Sequence, residues 1–137
     1  MERFPAALVY NPGAGSAGGS DEFLSGVRRL LHQAKIDAQV YQAHNEREIR
    51  SAAAHARRQG IQLVIACGGD GTVETVANAL VNTPVTLGIL PAGTRNNVAA
   101  GLNIPIHMAA AVSLLRDGRR QPIDMVDVRR GQEQRWL

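Results

Sequence analysis

The stretch LVIACGGDGTVETVANAL, Leu63 to Leu80, decides how the rest of the chain is read. Leu63, Val64, Ile65, Ala66 and Cys67 form an apolar run that enters a pair of glycines, Gly68 and Gly69. Asp70, Gly71 and Thr72 follow. Val73, Val76, Ala77 and Leu80 then recur at the spacing of one helix face. The pattern predicts a buried strand, a tight turn, and a helix capped by Asp70 or Thr72. Consecutive glycines at a helix start let a phosphate approach free main-chain N–H groups closely, which makes an anion site. A carboxylate in such a loop repels a bare phosphate, so Asp70 would meet the anion through a divalent cation or ordered water. The alternative is a plain tight turn in which Asp70 only caps the helix.

Working outward, Ala6 to Tyr10 is apolar on both faces and predicts a central parallel strand. It runs into NPGAGSAGG, Asn11 to Gly19, a loop before a helix capped by Ser20 or Asp21 and striped by Phe23, Val27, Leu30, Leu31 and Ala34. The loop lacks the Gly-Lys-Ser/Thr ending of a Walker A loop and the spacing of a dinucleotide fingerprint. Ala38 to Ala43 predicts a second strand, and Asn45 caps a helix through Ile49, Ala52, Ala53 and Ala56 that ends at Gly60. His44, at the strand end, is either solvated or within reach of a ligand. Val85 to Leu90 predicts a fourth strand. It leads into PAGTRNNVAAGLNIP, with a turn at Gly93 and Thr94 and a short helix over Val98 to Leu102. Asn96 and Asn97 there either bond a ligand or cap that helix. Pro105 starts a further helix ending at Gly118. Ile123, Met125, Val126 and Val128 predict a last strand, Arg130 to Gln132 a hairpin turn, and Arg135 to Leu137 a returning strand.

The chain has 137 residues, suited to one domain; 45% are hydrophobic and only 4% aromatic, so the core is aliphatic and alanine-rich. Fourteen glycines fit the many turns of an α/β domain. Lys and Arg number 15 against 12 acidic residues, a net +3 that suits nucleotides or an acidic membrane surface. The basic residues are scattered over helix faces, and no nucleic-acid partner is expected. Cys67, the single cysteine, excludes an internal disulfide and fits a reducing cytoplasm. No apolar run is long enough to cross a bilayer, so a lipid would be met at the membrane surface.

Three segments in order, NPGAG, GGDGT and LPAGTRNN, each ending a predicted strand, resemble the diacylglycerol kinase catalytic-domain family of lipid and sphingosine kinases, with NAD kinases and phosphofructokinases as distant kin. The resemblance implies a three-layer α/β/α domain with a mainly parallel sheet. Residues 1–137 would be the nucleotide-binding domain, cut at the start of a second, β-rich domain that carries the catalytic base. It further implies transfer of the ATP γ-phosphoryl group to a lipid hydroxyl with Mg2+, in the cytoplasm peripheral to the membrane, by a chain that could pair as a homodimer. Asn11, Pro12, Gly13, Ala14 and Gly15 would contact the nucleotide from the first loop. Gly68, Gly69, Asp70, Gly71 and Thr72 would form the main cradle, and Gly93, Thr94, Asn96 and Asn97 would close it. Asp70 would organise the metal through water. Asp124 would join the charge network, or simply pair with a nearby arginine. The chain departs from the family pattern at Ala43, where relatives carry threonine, at Glu74-Thr75, where they carry Asn-Glu, and at Asn97, where many carry aspartate. The helical carboxylate is thereby displaced roughly 100° around its helix. A kinase with a soluble substrate fits LPAGT less well, and a non-catalytic nucleotide-binding module is the other reading.

Overall fold

The sheet is built around β1 (Phe4–Tyr10), whose Ala6 to Tyr10 are all buried. Strand side chains alternate between faces, so β1 supplies two cores at once. Ala6, Leu8 and Tyr10 enter one, and Ala7 and Val9 the other. A computed structural model describes residues 3–13, 21–123, 125, 127–130 and 133–136. After β1 come α1 (Asp21–Gln33), β2 (Ile36–Gln42), α2 (Glu46–Arg58), β3 (Leu63–Gly68), α3 (Asp70–Leu80) and β4 (Thr86–Pro91). Then follow α4 (Asn97–Gly101), α5 (Met108–Asp117), β5 (Asp127–Arg130) and β6 (Glu133–Trp136).

The four strands lie in the order β2-β1-β3-β4 and every pair is parallel. Leu24, Val27 and Leu31 of α1 join Ala111 and Val112 of α5 on one face. Ile49, Ala52, Ala53 and Ala56 of α2 join Val73, Val76 and Leu80 of α3 on the other. This is the three-layer α/β/α arrangement expected, with β1 and β3 central. Because the chain leaves β1 towards β2 and returns past β1 to β3, the order reverses between β1 and β3. The C-terminal end of an open parallel sheet at such a reversal is where crevices form.

Helix α2 begins and ends as its sequence predicts. The Asn45 Oδ1 accepts the Glu48 N–H at 2.9 Å, and the Glu48 carboxylate reaches back to the His44 N–H at 3.3 Å, a variant of the capping box. At the far end Gly60 N bonds Arg57 O and Ile61 N bonds Ala56 O, a Schellman closure with Gly60 at φ +80°.

Two expectations about the chain's second half need correction. Helix α5 starts at Met108, not Pro105. Asn103 takes φ +61°, with Asn103 N bonded to Ala100 O and Ile104 N to Ala99 O, so the chain is still closing α4 there and cannot enter a new helix. The last strand is also shorter than expected and separate from the main sheet. Among the described residues it spans Asp127–Arg130 and pairs antiparallel with β6, while Val126, Gly131, Gln132 and Leu137 of the expected strands and turn lie outside the described residues. Ile123 lies outside it and is exposed. No helix of the described residues is long and apolar enough to cross a membrane.

Candidate functional site

At the C-terminal end of the sheet, the turns that follow β1, β3 and β4 meet at one cleft of about 600 Å³. Of the residues expected there, Asn11, Gly69, Asp70, Gly71, Thr72, Gly93 and Thr94 line it. Pro12, Gly13, Gly68, Asn96 and Asn97 do not, while Ala14, Gly15 and Asp124 lie outside the described residues. Asn45, Glu46 and Ile49 of the α2 start, with Thr75 and Arg95, complete the lining.

The β3–α3 and β4–α4 turns touch through their main chains. A Cβ built on Gly93 would stand 2.3 Å from the Gly69 Cα, and one on Gly69 would stand 3.2 Å from the Gly93 Cα. These two glycines therefore serve the approach of one turn to the other, beside any service to a ligand. Gly68 is fixed differently: a Cβ there would meet the buried Thr72 hydroxyl at 2.6 Å.

Asp70 does not cap its own helix, and neither does Thr72. The N-cap of α3 is Gly69, without a side-chain cap bond. The Asp70 carboxylate instead crosses to α4, its Oδ2 accepting the Asn97 N–H at 3.1 Å and its Oδ1 the Val98 N–H at 2.9 Å. A carboxylate at a helix start satisfies N–H groups that the helix leaves without partners. The consequence for the cleft is that the first turn of α3 presents its N–H groups uncapped by any described side chain. The other turns have less to offer. Gly13 N already bonds Asn11 Oδ1 at 2.9 Å, and Gly93 N bonds Asn96 Oδ1 at 3.2 Å. Asn96 also donates through Nδ2 to Gly93 O at 3.2 Å, so it braces the turn.

Beyond its first residues, the α3 side chain that lines the cleft is Thr75, whose hydroxyl donates to Gly71 O at 2.8 Å; Glu74 is exposed and lies off the cleft. Ala43, where a hydroxyl would stand in the family pattern, is 1% exposed and packs with α2 and α3. His44 does not reach the cleft lining. It pairs with Glu48, and the His44 main-chain N–H, then its ring, hold that carboxyl below the ordinary value. On the α1 face, Tyr10 stacks on Phe23 with ring centroids 6.0 Å apart, and its buried hydroxyl finds no partner among the described residues. Burial, with Cys67 and Asp21 nearby, raises the Tyr10 hydroxyl, and burial pushes the Cys67 thiol up to about 12.

Among the described residues no group of three or more His, Cys, Asp or Glu is placed to cage a metal ion. Of the two carboxylates among the described cleft residues, Glu46 pairs with Arg50 and Asp70 lies on the glycine turn. Each of its oxygens accepts one N–H and retains a lone pair for water. That donor set fits Mg2+ arriving on nucleotide phosphates with its own waters.

Residues 5–128 match the family described as the diacylglycerol kinase catalytic domain. A protein of Klebsiella pneumoniae (strain 342) named "Probable lipid kinase YegS-like" is 36% identical over 130 residues, 93% of this chain and 43% of that protein. The uncharacterized protein sll0036 of Synechocystis sp. (strain ATCC 27184 / PCC 6803 / Kazusa) is 33% identical over 128 residues, 85% of this chain and 29% of that protein. The crystal structure of a diacylglycerol kinase from Bacillus anthracis str. Sterne shares the fold with a TM-score of 0.74 at 24% identity, covering 91% of this chain and 44% of that one. The chain thus spans less than half the length of these relatives.

Proposed function

Because the chain belongs to the diacylglycerol kinase catalytic-domain family, we propose that it forms the nucleotide-binding half of a lipid kinase that passes the γ-phosphoryl group of ATP to a lipid hydroxyl. The observation that carries this reading is the convergence of the β1, β3 and β4 turns on a single cleft. The uncapped N-terminus of α3, with Gly71 open beside it, would receive the phosphates. Asn11, Asn45, Thr75 and Thr94 would supply neutral hydrogen bonds to sugar and phosphate around it. Asp70 would hold a water of the nucleotide's Mg2+ while fixing the start of α4. The metal, when bound, neutralises phosphate charge.

In the reaction the lipid oxygen bonds to the γ phosphorus as the bond from that phosphorus to the β–γ bridging oxygen breaks. ADP leaves with the electron pair, and the hydroxyl proton passes to a carboxylate base expected from a second domain. Among the described residues, both cleft carboxylates are already engaged, Glu46 with Arg50 and Asp70 with α4. Such a transfer depends on positioning and charge neutralisation more than on covalent help from the protein, which suits a site made of turns.

The test is to incubate the polypeptide carrying this chain with γ-labelled ATP, Mg2+ and either diacylglycerol in phospholipid vesicles or NAD. Label in the lipid is the expected result. Label in NAD alone would shift the reading to a soluble-substrate kinase, and no saturable ATP binding would end it.

A further inference from the structure

We propose that Arg95 grips the terminal phosphates of the bound nucleotide. This rests on the reading of the cleft as a nucleotide site and deepens it. Among the described residues lining the cleft, Arg95 is the one cationic side chain. The two carboxylates there are occupied, Glu46 by Arg50 and Asp70 by the amides of Asn97 and Val98, and neither pairs with Arg95 among the described residues. Among the described residues Arg95 therefore has no ion-pair partner, and its guanidinium stands in a cleft shared with the Asp70 and Glu46 carboxylates. The N-terminus of α3 opens on the same space with its own partial positive charge. Two positive features bordering one cavity ask for a ligand with several anionic oxygens.

The main chain around Arg95 is held on both sides while its side chain is exposed. Asn96 braces Gly93 through two hydrogen bonds, and Asp70 ties down Asn97 and Val98. A fixed anchor removes the main-chain part of the ordering cost and leaves only the side chain's own rotamers to be fixed when the guanidinium closes on a ligand. Its planar fork suits paired phosphate oxygens. The cleft lining contains no lysine to do this work in the manner of a Walker loop. Arg95 lies one residue past Thr94 in the β4–α4 turn, where no described residue forms an ion pair with it.

The experiment is calorimetric titration of the protein and of Arg95→Gln and Arg95→Lys with ATP, ADP and AMP, each with Mg2+ at one ionic strength. Arg95→Gln should weaken ATP binding about tenfold or more, the worth of a charge-assisted hydrogen bond. AMP binding should change by less than about twofold, and Arg95→Lys should recover part of the loss. An unaltered melting temperature for Arg95→Gln would show that the turn itself is intact. If the wild-type protein binds ATP and Arg95→Gln keeps the same preference for ATP over AMP, the role of Arg95 is overturned while the nucleotide site stands. If the wild-type protein binds no nucleotide, both fall.

Discussion

Removing the Asp70 carboxylate should destabilise the protein before any question of metal arises. Asp70 joins the β3–α3 turn to α4 through hydrogen bonds of 3.1 and 2.9 Å to the Asn97 and Val98 N–H groups. Asp70→Ala strips the acceptor from both. The Asn97 N–H is exposed and water can replace the carboxylate there; the Val98 N–H is partly buried and is left poorly satisfied. Losing a capping acceptor costs about 1 kcal/mol, and a bond to a charged acceptor about 1.5–3 kcal/mol. With partial exposure the expected loss is about 1–2 kcal/mol, a fall of roughly 3–8 °C in melting temperature. Asp70→Asn keeps one acceptor oxygen but turns an NH2 towards the other amide, so it should recover about half the loss. Urea denaturation of the three proteins, with hydrogen exchange followed at Asn97 and Val98, measures this. Equal stability of Asp70→Ala and wild type, with unchanged exchange at Val98, would refute it. Loss of activity in Asp70→Ala is therefore no proof of a metal role, because the β4–α4 turn, which lines the cleft through Gly93, Thr94 and Arg95, is loosened by the same change.

Gly93→Ala should cost about 1–3 kcal/mol, since its Cβ would fall 2.3 Å from the Gly69 Cα and main chain cannot swing aside. Gly88→Ala should cost less, because there the 2.6 Å contact is with the end of the Leu115 side chain, which can change rotamer; urea curves for the pair give the comparison. Asn45→Ala removes the acceptor for Glu48 N and should cost about 1 kcal/mol by thermal melting, and its ATP affinity should fall as well because Asn45 lines the cleft. Cys67 should resist alkylation in the native protein at pH 8 and react on unfolding. The native thiol keeps its proton until about 12, whereas the unfolded one releases it near the ordinary thiol value of 9.0. The native state thus binds more protons across that interval, and stability should decline as pH rises through it, by up to about 1.4 kcal/mol per pH unit from this group. A flat stability profile from pH 9 upwards would contradict the burial of Cys67.

Much of this was legible in the sequence because the signals are local. The apolar runs at Ala6–Tyr10 and Leu63–Cys67 have no polar face and so belong in the middle of a parallel sheet. Asn45 followed by Glu48 three residues later announces the start of α2. The site was half legible: glycine turns at the C-terminal ends of strands point to a shared crevice, and Asn11, Gly69 and Thr94 do meet there. What sequence reasoning missed was tertiary. The Asp70 partners are 27 and 28 residues away, and capping rules look only three residues along the chain. Asn45, Glu46 and Ile49 reach the cleft because α2 starts beside it, and the fourfold spacing of Gly71 and Thr75 on α3 was the one available hint that Thr75 faces the same way. Pro105 looked like a helix start because proline suits that position, yet the left-handed Asn103 keeps the chain reversing until Met108.

The bare contact between Gly69 and Gly93 leaves the two turns no slack. A ligand that nudges the entrance of α3 by half an ångström must carry the head of α4 along, so the two behave as a single pawl. Spectroscopic probes set separately on Thr72 and Val98 should then report occupancy with the same midpoint and the same rate.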